Sequence, residues 1–382
     1  MKRGEGGSFQ YGICLLNALK QLDPEKYQVS LWYSFSKDIA RDLEVYPFEK
    51  HNVDDIPLLL KVQRFLLRVI NKFFKTDTLS RHITRLALHG MPRWKPDVCI
   101  RLEQGYTPLE GVCKTVGPVH DVMHRYHPEF PEVASARELK SREYVFSNHI
   151  RTASAILVDS EVGKRQVLDC YLPDESRVFV LPFCASHLQG LQAQKPANFP
   201  LAEDQKFLFY PAQMWLHKNH VNLVRAVALL HEQLDVPCIF TGATDKSGYK
   251  DYQKAVSDCG LSNRIHHLGY VSDAEAVWLY KNARCMVMPT YLGPTNIPPL
   301  EAFLLGCPVA VSNVYGMPEQ LGDAALYFDP HKPEEIADCI ATLWTDQGKW
   351  NELRDRGLAK AAAYSAKEFE QKFIDIITNK IG

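Results

Sequence analysis

The stretch VMPTYLGPTNIPPLEAFLLGCPVAVSN, Val287–Asn313, leaves this chain few folds to choose from. It opens on an apolar run, Cys285–Met288, that reads as a buried strand and then breaks into Pro, Thr, Gly, Pro, Thr and Asn. Pro298 and Pro299 start a helix, because a first helical turn has no use for the N–H that proline lacks. Leu300, Ala302, Phe303 and Leu304 continue it, Gly306 ends it, and Pro308–Ser312 is the next strand. Strand, loop, helix, strand is one right-handed crossover of a parallel sheet, with its loop at the carboxyl edge where such sheets bind ligands. The free N–H groups and positive dipole end of that helix suit a phosphate. Glu301, one turn in, can accept hydrogen bonds from a diol such as a ribose; complementing the helix dipole is its plainer role.

The same alternation runs along the rest of the chain. Asp97–Ile100, Thr115–Val119, Ala155–Asp159 and Val178–Leu181 read as strands in the first half. Phe207–Tyr210, Cys238–Thr241, Ile265–Leu268 and Ala324–Phe328 do so in the second, with helices between them. At 382 residues this is two parallel-sheet domains facing a cleft. The polar segment 189–204 is the linker, 1–188 the first domain and 205–364 the second. The composition, 46% hydrophobic and 23% charged with a net charge of −1, is that of a soluble globular protein. No run is long enough for a membrane span and no signal peptide is evident, so a cytoplasmic protein is expected. Ten cysteines form no C-x-x-C pair, and several lie in apolar runs where reduced, buried thiols belong. No D-x-D triplet advertises a divalent-metal clamp, so no metal is expected.

Four other features carry chemistry. Gly4, Gly6 and Gly7 form a glycine loop ahead of a helix at Ile13–Leu19, where backbone amides can approach an anion; a disordered tail is the alternative. The apolar strand that should precede such a loop is missing, so either the native start lies upstream of Met1 or the domain does without it. His120 and Asp121 stand at the carboxyl end of a strand, where His could bond a hydroxyl while the adjacent carboxylate fixes its ring. Lys218 lies in a loop just ahead of a helix, placed either to meet a phosphate or to be solvated. From Leu58 to Lys95, apolar residues alternate with nine Lys and Arg and one acid, Asp77. A basic amphipathic helix of this kind can lie on an anionic membrane, or it can be a domain helix with a solvated face. The near-zero net charge argues against nucleic acid.

Taken together, GGSFQYG, PVHD, YPAQMWLHKNH, IFTGATD, IHHLGYVS, PTYLGPTNIPPLEAFLLGCPVAVSN and PEQLGDAALYFDP resemble the retaining GT-B glycosyltransferases of family 4, the group 1 nucleotide-sugar enzymes. The resemblance implies that Gly6 and Gly7 face the donor diphosphate, that His120 contacts the transferred sugar and that Lys218 neutralises the diphosphate. It implies that Asn296 and Ile297, beside Thr295, offer backbone amides to the phosphates and sugar. Glu301 matches the ribose-binding second Glu of the family's E-x7-E pattern, and Tyr270 and Val271 lie where the base is contacted. Gly293 stands where the pattern has its first Glu, and Gln213 where it has an Arg. The last helix, within 365–382, is expected to cross back onto the first domain. The G-P-T-N-I-P-P-L-E sequence is similar to the polysaccharide mannosyl- and rhamnosyltransferase branch. That branch implies a nucleoside-diphosphate sugar donor, GDP-mannose favoured, a glycan or lipid-linked glycan acceptor, and no other cofactor or metal. Peripheral association with the inner face of the cytoplasmic membrane follows from the basic segment. The competing reading is a catalytically silent GT-B subunit that organises partner transferases, motivated by Gly293 and Gln213.

Overall fold

A computed structural model describes residues 7–33, 43–52, 58–74, 96–107 and 112–381, with Ile83 and Leu109. In chain order these form α1 (Gly7–Leu19), β1 (Ser30–Tyr33), β2 (Glu49–Asn52), α2 (Leu58–Phe74), β3 (Val98–Ile100) and β4 (Lys114–Pro118). Two short turns, α3 (Met123–Tyr126) and α4 (Pro131–Ala134), lead to α5 (Ala136–Thr152), β5 (Ala155–Val158), α6 (Glu161–Tyr171) and β6 (Val178–Val180). The second half holds β7 (Leu208–Pro211), α7 (His220–Leu230), β8 (Cys238–Thr241), α8 (Tyr249–Asp258), β9 (Ile265–His267) and α9 (Asp273–Asn282). It continues through β10 (Cys285–Met288), α10 (Pro298–Leu304), β11 (Val309–Ser312), α11 (Met317–Leu321), β12 (Ala325–Phe328), α12 (Pro333–Thr345), α13 (Gln347–Ala361) and α14 (Ala366–Asp375).

All pairings are parallel. The second half makes one six-stranded sheet in the order β12-β11-β10-β7-β8-β9, and the first half a four-stranded sheet β3-β4-β5-β6 beside a β1-β2 pair. Strands β8, β10 and β11 are buried at every residue, as expected of a parallel sheet covered by helices on both faces. The chain leaves β7 in one direction to build β8 and β9, then returns to build β10 to β12 on the other side. The switch point between β7 and β10 is where a doubly wound sheet opens a crevice for a ligand.

Local chemistry explains the helix starts. Ser160, Ser272 and Ser365 cap α6, α9 and α14 with side-chain oxygens, and Ser272 with Glu275 completes a capping box. Helix α1 begins at Gly7, six residues before the predicted Ile13 start, so Gly7 is a first-turn residue and not part of a loop. Its glycines are poor helix formers, but Tyr11, Cys14, Leu15, Ala18 and Leu19 form one buried stripe whose packing outweighs that cost. Gly6 lies outside the described residues. Strand β2, EKHN, has no apolar alternation to announce it and exists through its pairing with β1.

Helix α14 lies against α1, with the Phe369 ring edge-on to Tyr11 at 5.3 Å. Beyond it the chain reaches β4, where Lys114 Nζ donates to the Ile381 carbonyl at 2.7 Å. The last helix therefore packs on the first sheet's half of the molecule. Every cysteine is a free thiol, and Cys14 and Cys184 touch at 3.1 Å between sulfurs. Of the basic segment only α2 and Ile83 are described; no helix among the described residues is long and apolar enough to cross a membrane.

Candidate active site

The loops after β7 and β10 meet at the switch point. Leu216–Lys218 forms a single 3-10 turn after β7, and Asn219, in the left-handed region, redirects the chain into α7. That turn aims Lys218 Nζ at Asn296 Oδ1, 3.3 Å away. Burial lowers the Lys218 pKa to about 8, against the attraction of Asp121 across the crevice. Thr295 is buried, and its hydroxyl oxygen has no hydrogen-bond partner among the described residues.

Gly293 makes this arrangement possible. Its φ of +117° suits glycine alone, and an added Cβ would sit 2.8 Å from Asn296 Nδ2. The Glu that the pattern carries here would displace the Asn296 amide from Lys218. The expected phosphate cradle is narrower than the sequence implied. The Asn296 N–H donates to Gln320 Oε1 at 3.1 Å, and Gln320 Nε2 returns a bond to the Asn296 carbonyl at 2.9 Å. Asn296 thus contributes its side chain, not its amide. Pro298 and Pro299 have no N–H, so of the α10 entry the Ile297 amide is what a phosphate could use. Gly7 comes to the same place: a Cβ on it would lie 3.0 Å from Ile297 Cδ1.

Glu301 is held by two groups that the sequence did not advertise. Tyr280 Oη donates to its Oε2 at 2.6 Å, and His187 Nε2 stands 3.1 Å from its Oε1. His187 lies in a short 3-10 turn, Ser186–Leu188, just before the linker. Burial opposes its protonation, but Glu301's hydrogen bond and charge outweigh that and raise its pKa. Gln213 is engaged by the Trp215 indole, whose Nε1 donates to Gln213 Oε1 at 3.2 Å. Tyr270 and Val271 follow β9 at the sheet edge, where Gly269 accepts from the Gly242 amide at 2.8 Å; Tyr270 is 77% exposed.

Across the crevice the pairing of His120 differs from expectation. Asp121 does not orient His120. It accepts from Arg142 Nη1 at 2.8 Å and from the Met123 amide at 3.0 Å. Burial pushes the Asp121 carboxyl up, but Arg142 and the Met123 amide together more than offset it and the pKa falls. The partner of His120 is Asp159, with its two oxygens 3.1 and 3.2 Å from Nδ1. The sequence signal for this partner is a carboxylate at the end of β5; its separation of 39 positions from His120 hides the pairing.

Contacts between the halves hold the crevice. Glu132 accepts from the His217 amide at 3.0 Å and from His217 Nδ1 at 2.9 Å. Burial lowers the His217 pKa, and the bonds to His217 lower that of Glu132 despite its burial. Glu319 accepts from the Glu161 and Val162 amides at 2.8 and 3.1 Å, docking a carboxylate from one half on a helix start of the other. Phe130 stacks on Tyr291 at 5.6 Å. Among the described residues no group of three His, Cys, Asp or Glu stands close enough together to hold a metal.

Residues 192–363 match the family described as glycosyl transferases group 1. The O-antigen chain mannosyltransferase B of Escherichia coli is 33% identical over 266 residues, covering 66% of this chain and 67% of that one. The chain belongs to the group 1 glycosyltransferases. As such it is a nucleotide-sugar-dependent hexosyltransferase. Other relatives in this family are the Salmonella typhimurium O-antigen chain mannosyltransferase RfbU, 26% identical with 59% of each chain covered, and E. coli WbdA, a serotype-specific mannosyltransferase. WbdA is 24% identical over 66% of this chain, which spans only 32% of WbdA's length. Among solved structures, Anabaena HepE in complex with UDP and glucose superposes with a TM-score of 0.70 at 16% identity, covering 99% of this chain and 98% of that one. A glycosyltransferase from Rickettsia africae gives 0.63 at 15% identity, over 98% and 96%. The fold is GT-B.

Proposed function

We propose that this glycosyltransferase moves a hexose, mannose favoured, from a nucleoside-diphosphate sugar, GDP-mannose favoured, to a hydroxyl of a growing, lipid-linked surface polysaccharide. The observation that carries this reading is the convergence of Lys218, Asn296, Thr295 and Glu301 on one crevice at the switch point. The similarity to O-antigen mannosyltransferases supports the choice of sugar and acceptor. Residues 205–364 hold the donor, residues 1–188 with the terminal helix of 365–382 face the acceptor, and 189–204 joins them.

In this reading Glu301 takes the ribose diol, and Tyr270 and Val271 border the base. As the glycosidic bond breaks, negative charge collects on the leaving diphosphate. Lys218, the Thr295 hydroxyl and the Ile297 amide stabilise it in a water-poor site, doing the work a metal does elsewhere. The acceptor hydroxyl attacks from the leaving-group face, so the anomeric configuration is retained. Its proton passes to the departing phosphate oxygen, and no protein nucleophile takes part. His120 positions the transferred sugar. Closure of the halves excludes water and limits donor hydrolysis.

Replacing Glu301 or Lys218 by Ala is expected to lower kcat/KM at least tenfold, the loss of a charged hydrogen bond of about 1.5–3 kcal/mol. Donor kinetics unchanged in both variants would sink the assignment. A thermal-shift screen against GDP, UDP, dTDP and ADP, with their sugar conjugates, identifies the base by mass action.

Helix α2 gives the membrane reading its support. Leu59 is 79% exposed and Phe65 64%, with Leu66, Val69 and Ile70 also exposed, a row of apolar side chains on a segment rich in Lys and Arg. Such a helix lies in an anionic membrane interface. The chain is expected to sediment with anionic liposomes at low salt and to be released as salt screens the attraction; no sedimentation at low salt contradicts the membrane contact.

A further inference from the structure

Asp159 and His120 form a dyad whose outer nitrogen is left open. Asp159 closes β5 and its side chain is 1% exposed, while His120 closes β4, the neighbouring strand. Both carboxylate oxygens lie within 3.2 Å of Nδ1, and Asp159 makes no other hydrogen bond among the described residues. The imidazole is clamped as well as paired. Phe183 stacks on one face at 5.3 Å, and Tyr11 meets it edge-on at 4.8 Å. Tyr11 is itself fixed by its hydroxyl bond to the Leu181 carbonyl and by Phe369 of the returning helix. The ring therefore has one orientation. In that orientation Nε2 is buried and has no hydrogen-bond partner among the described residues.

A buried polar atom without a partner costs free energy, and the cost is recovered when something bonds to it. If Asp159 is ionised, it can only accept, so Nδ1 must carry the ring proton. In the neutral ring Nε2 is then a lone pair and an acceptor. An acceptor in this place selects a hydroxyl that donates to it. It cannot serve a phosphate oxygen, which has no proton to offer. This separates the two sides of the crevice chemically, with donors for the diphosphate at Lys218 and an acceptor for a sugar hydroxyl at His120.

We propose that Asp159 is the positioning residue of this transferase: it fixes His120 as the Nδ1–H tautomer, so that Nε2 accepts a hydrogen bond from a hydroxyl of the hexose being transferred. The inference rests on the reading that His120 faces the donor sugar, and it adds the residue that sets which hydroxyl geometry is accepted. Asp121, although adjacent, plays no part in that setting, being occupied by Arg142 and a backbone amide.

The test begins on the wild-type chain with its histidines labelled by 15N. The His120 resonances, assigned by their loss in His120→Ala, are expected to show Nδ1 protonated and Nε2 bare; an Nε2–H tautomer in the wild type overturns the proposal without any activity measurement. Asp159→Asn is nearly isosteric and should allow the other tautomer, a change that a merely structural carboxylate would not produce. With the nucleotide sugar giving the largest thermal shift, kcat should fall at least tenfold in Asp159→Asn, while binding of the matching nucleoside diphosphate changes less than twofold. The double variant with His120→Ala should be no worse than His120→Ala alone, since two members of one unit do not add. If His120→Ala is crippled but Asp159→Asn keeps both the tautomer and kcat, the positioning role is wrong and the sugar-side reading stands. If His120→Ala turns over like wild type, the reading beneath it fails. Should Asp159→Asn not fold, the wild-type spectrum still decides.

Discussion

At the scale of single residues, the site is a set of ionisable groups whose partners come from far away in sequence. Lys218 is the clearest case. Its pKa near 8 results from burial, and a bound diphosphate would raise it by supplying negative charge. The sign follows from that. Where the free amine is charged, below about pH 8, binding needs no proton; above it, binding must take one up and weakens. The affinity for a nucleoside diphosphate is therefore expected to be flat below pH 8 and to fall by up to about tenfold per pH unit above it. Calorimetry in buffers of different ionisation enthalpy should register proton uptake at pH 9, and Lys218→Met should flatten the profile. A flat wild-type profile through pH 9.5 contradicts the depressed pKa. Lys218 was visible in the sequence as a cation before a helix, as was Glu301. Their environment was not. Tyr280, His187 and Asn296 reach them only through the fold.

At the scale of elements, the β10–α10 connection joins sequence pattern to chemistry. Pro298, Pro299 and Gly306 set the limits of α10 as local rules predict, and the helix runs between them. Less visible was the consequence of two adjacent prolines, which remove two of the amides that make a helix start attractive to anions. Gly293 answers a question the sequence raised. In place of the pattern's Glu, a glycine at φ +117° gives the turn that brings Asn296 under Lys218. Restoring the Glu should therefore harm the enzyme. Gly293→Glu is expected to cost about 1–3 kcal/mol of stability through backbone strain, and to reduce kcat/KM at least tenfold by moving Asn296. A melting temperature and activity equal to wild type would show that the loop adapts freely. Helix α1 teaches the reverse lesson, since weak local propensity lost to a packing stripe shared with α14.

Across the whole molecule, two carboxylates bridge the halves. Glu132 holds His217, one residue from Lys218, and Glu319 caps α6 from the opposite side. Each is tied to the crevice without lining the donor site itself. Glu132→Ala combined with Glu319→Ala should loosen closure, raising the radius of gyration measured by small-angle scattering and raising KM for the donor severalfold. An unchanged radius with unchanged kinetics would mean that the apolar contact of Phe130 with Tyr291 suffices. The returning helix matters at this scale as well, because Phe369 supports Tyr11, which supports His120.

The sequence by itself determined the alternation of strands and helices, the parallel sheets and the loops that carry Lys218 and Glu301. Hydrophobic period, glycine and proline act locally, and a parallel sheet turns those local choices into position at one edge. It could not determine which carboxylate serves His120, why Asn296's amide is unavailable, or that His187 reaches Glu301. Those pairings depend on distances between residues tens to more than a hundred positions apart, and only packing brings such residues to 3.1 Å from one another. Adjacency favoured Asp121; the tertiary structure chose Asp159, because side chains at the ends of neighbouring strands face the same crevice while successive residues along one chain diverge.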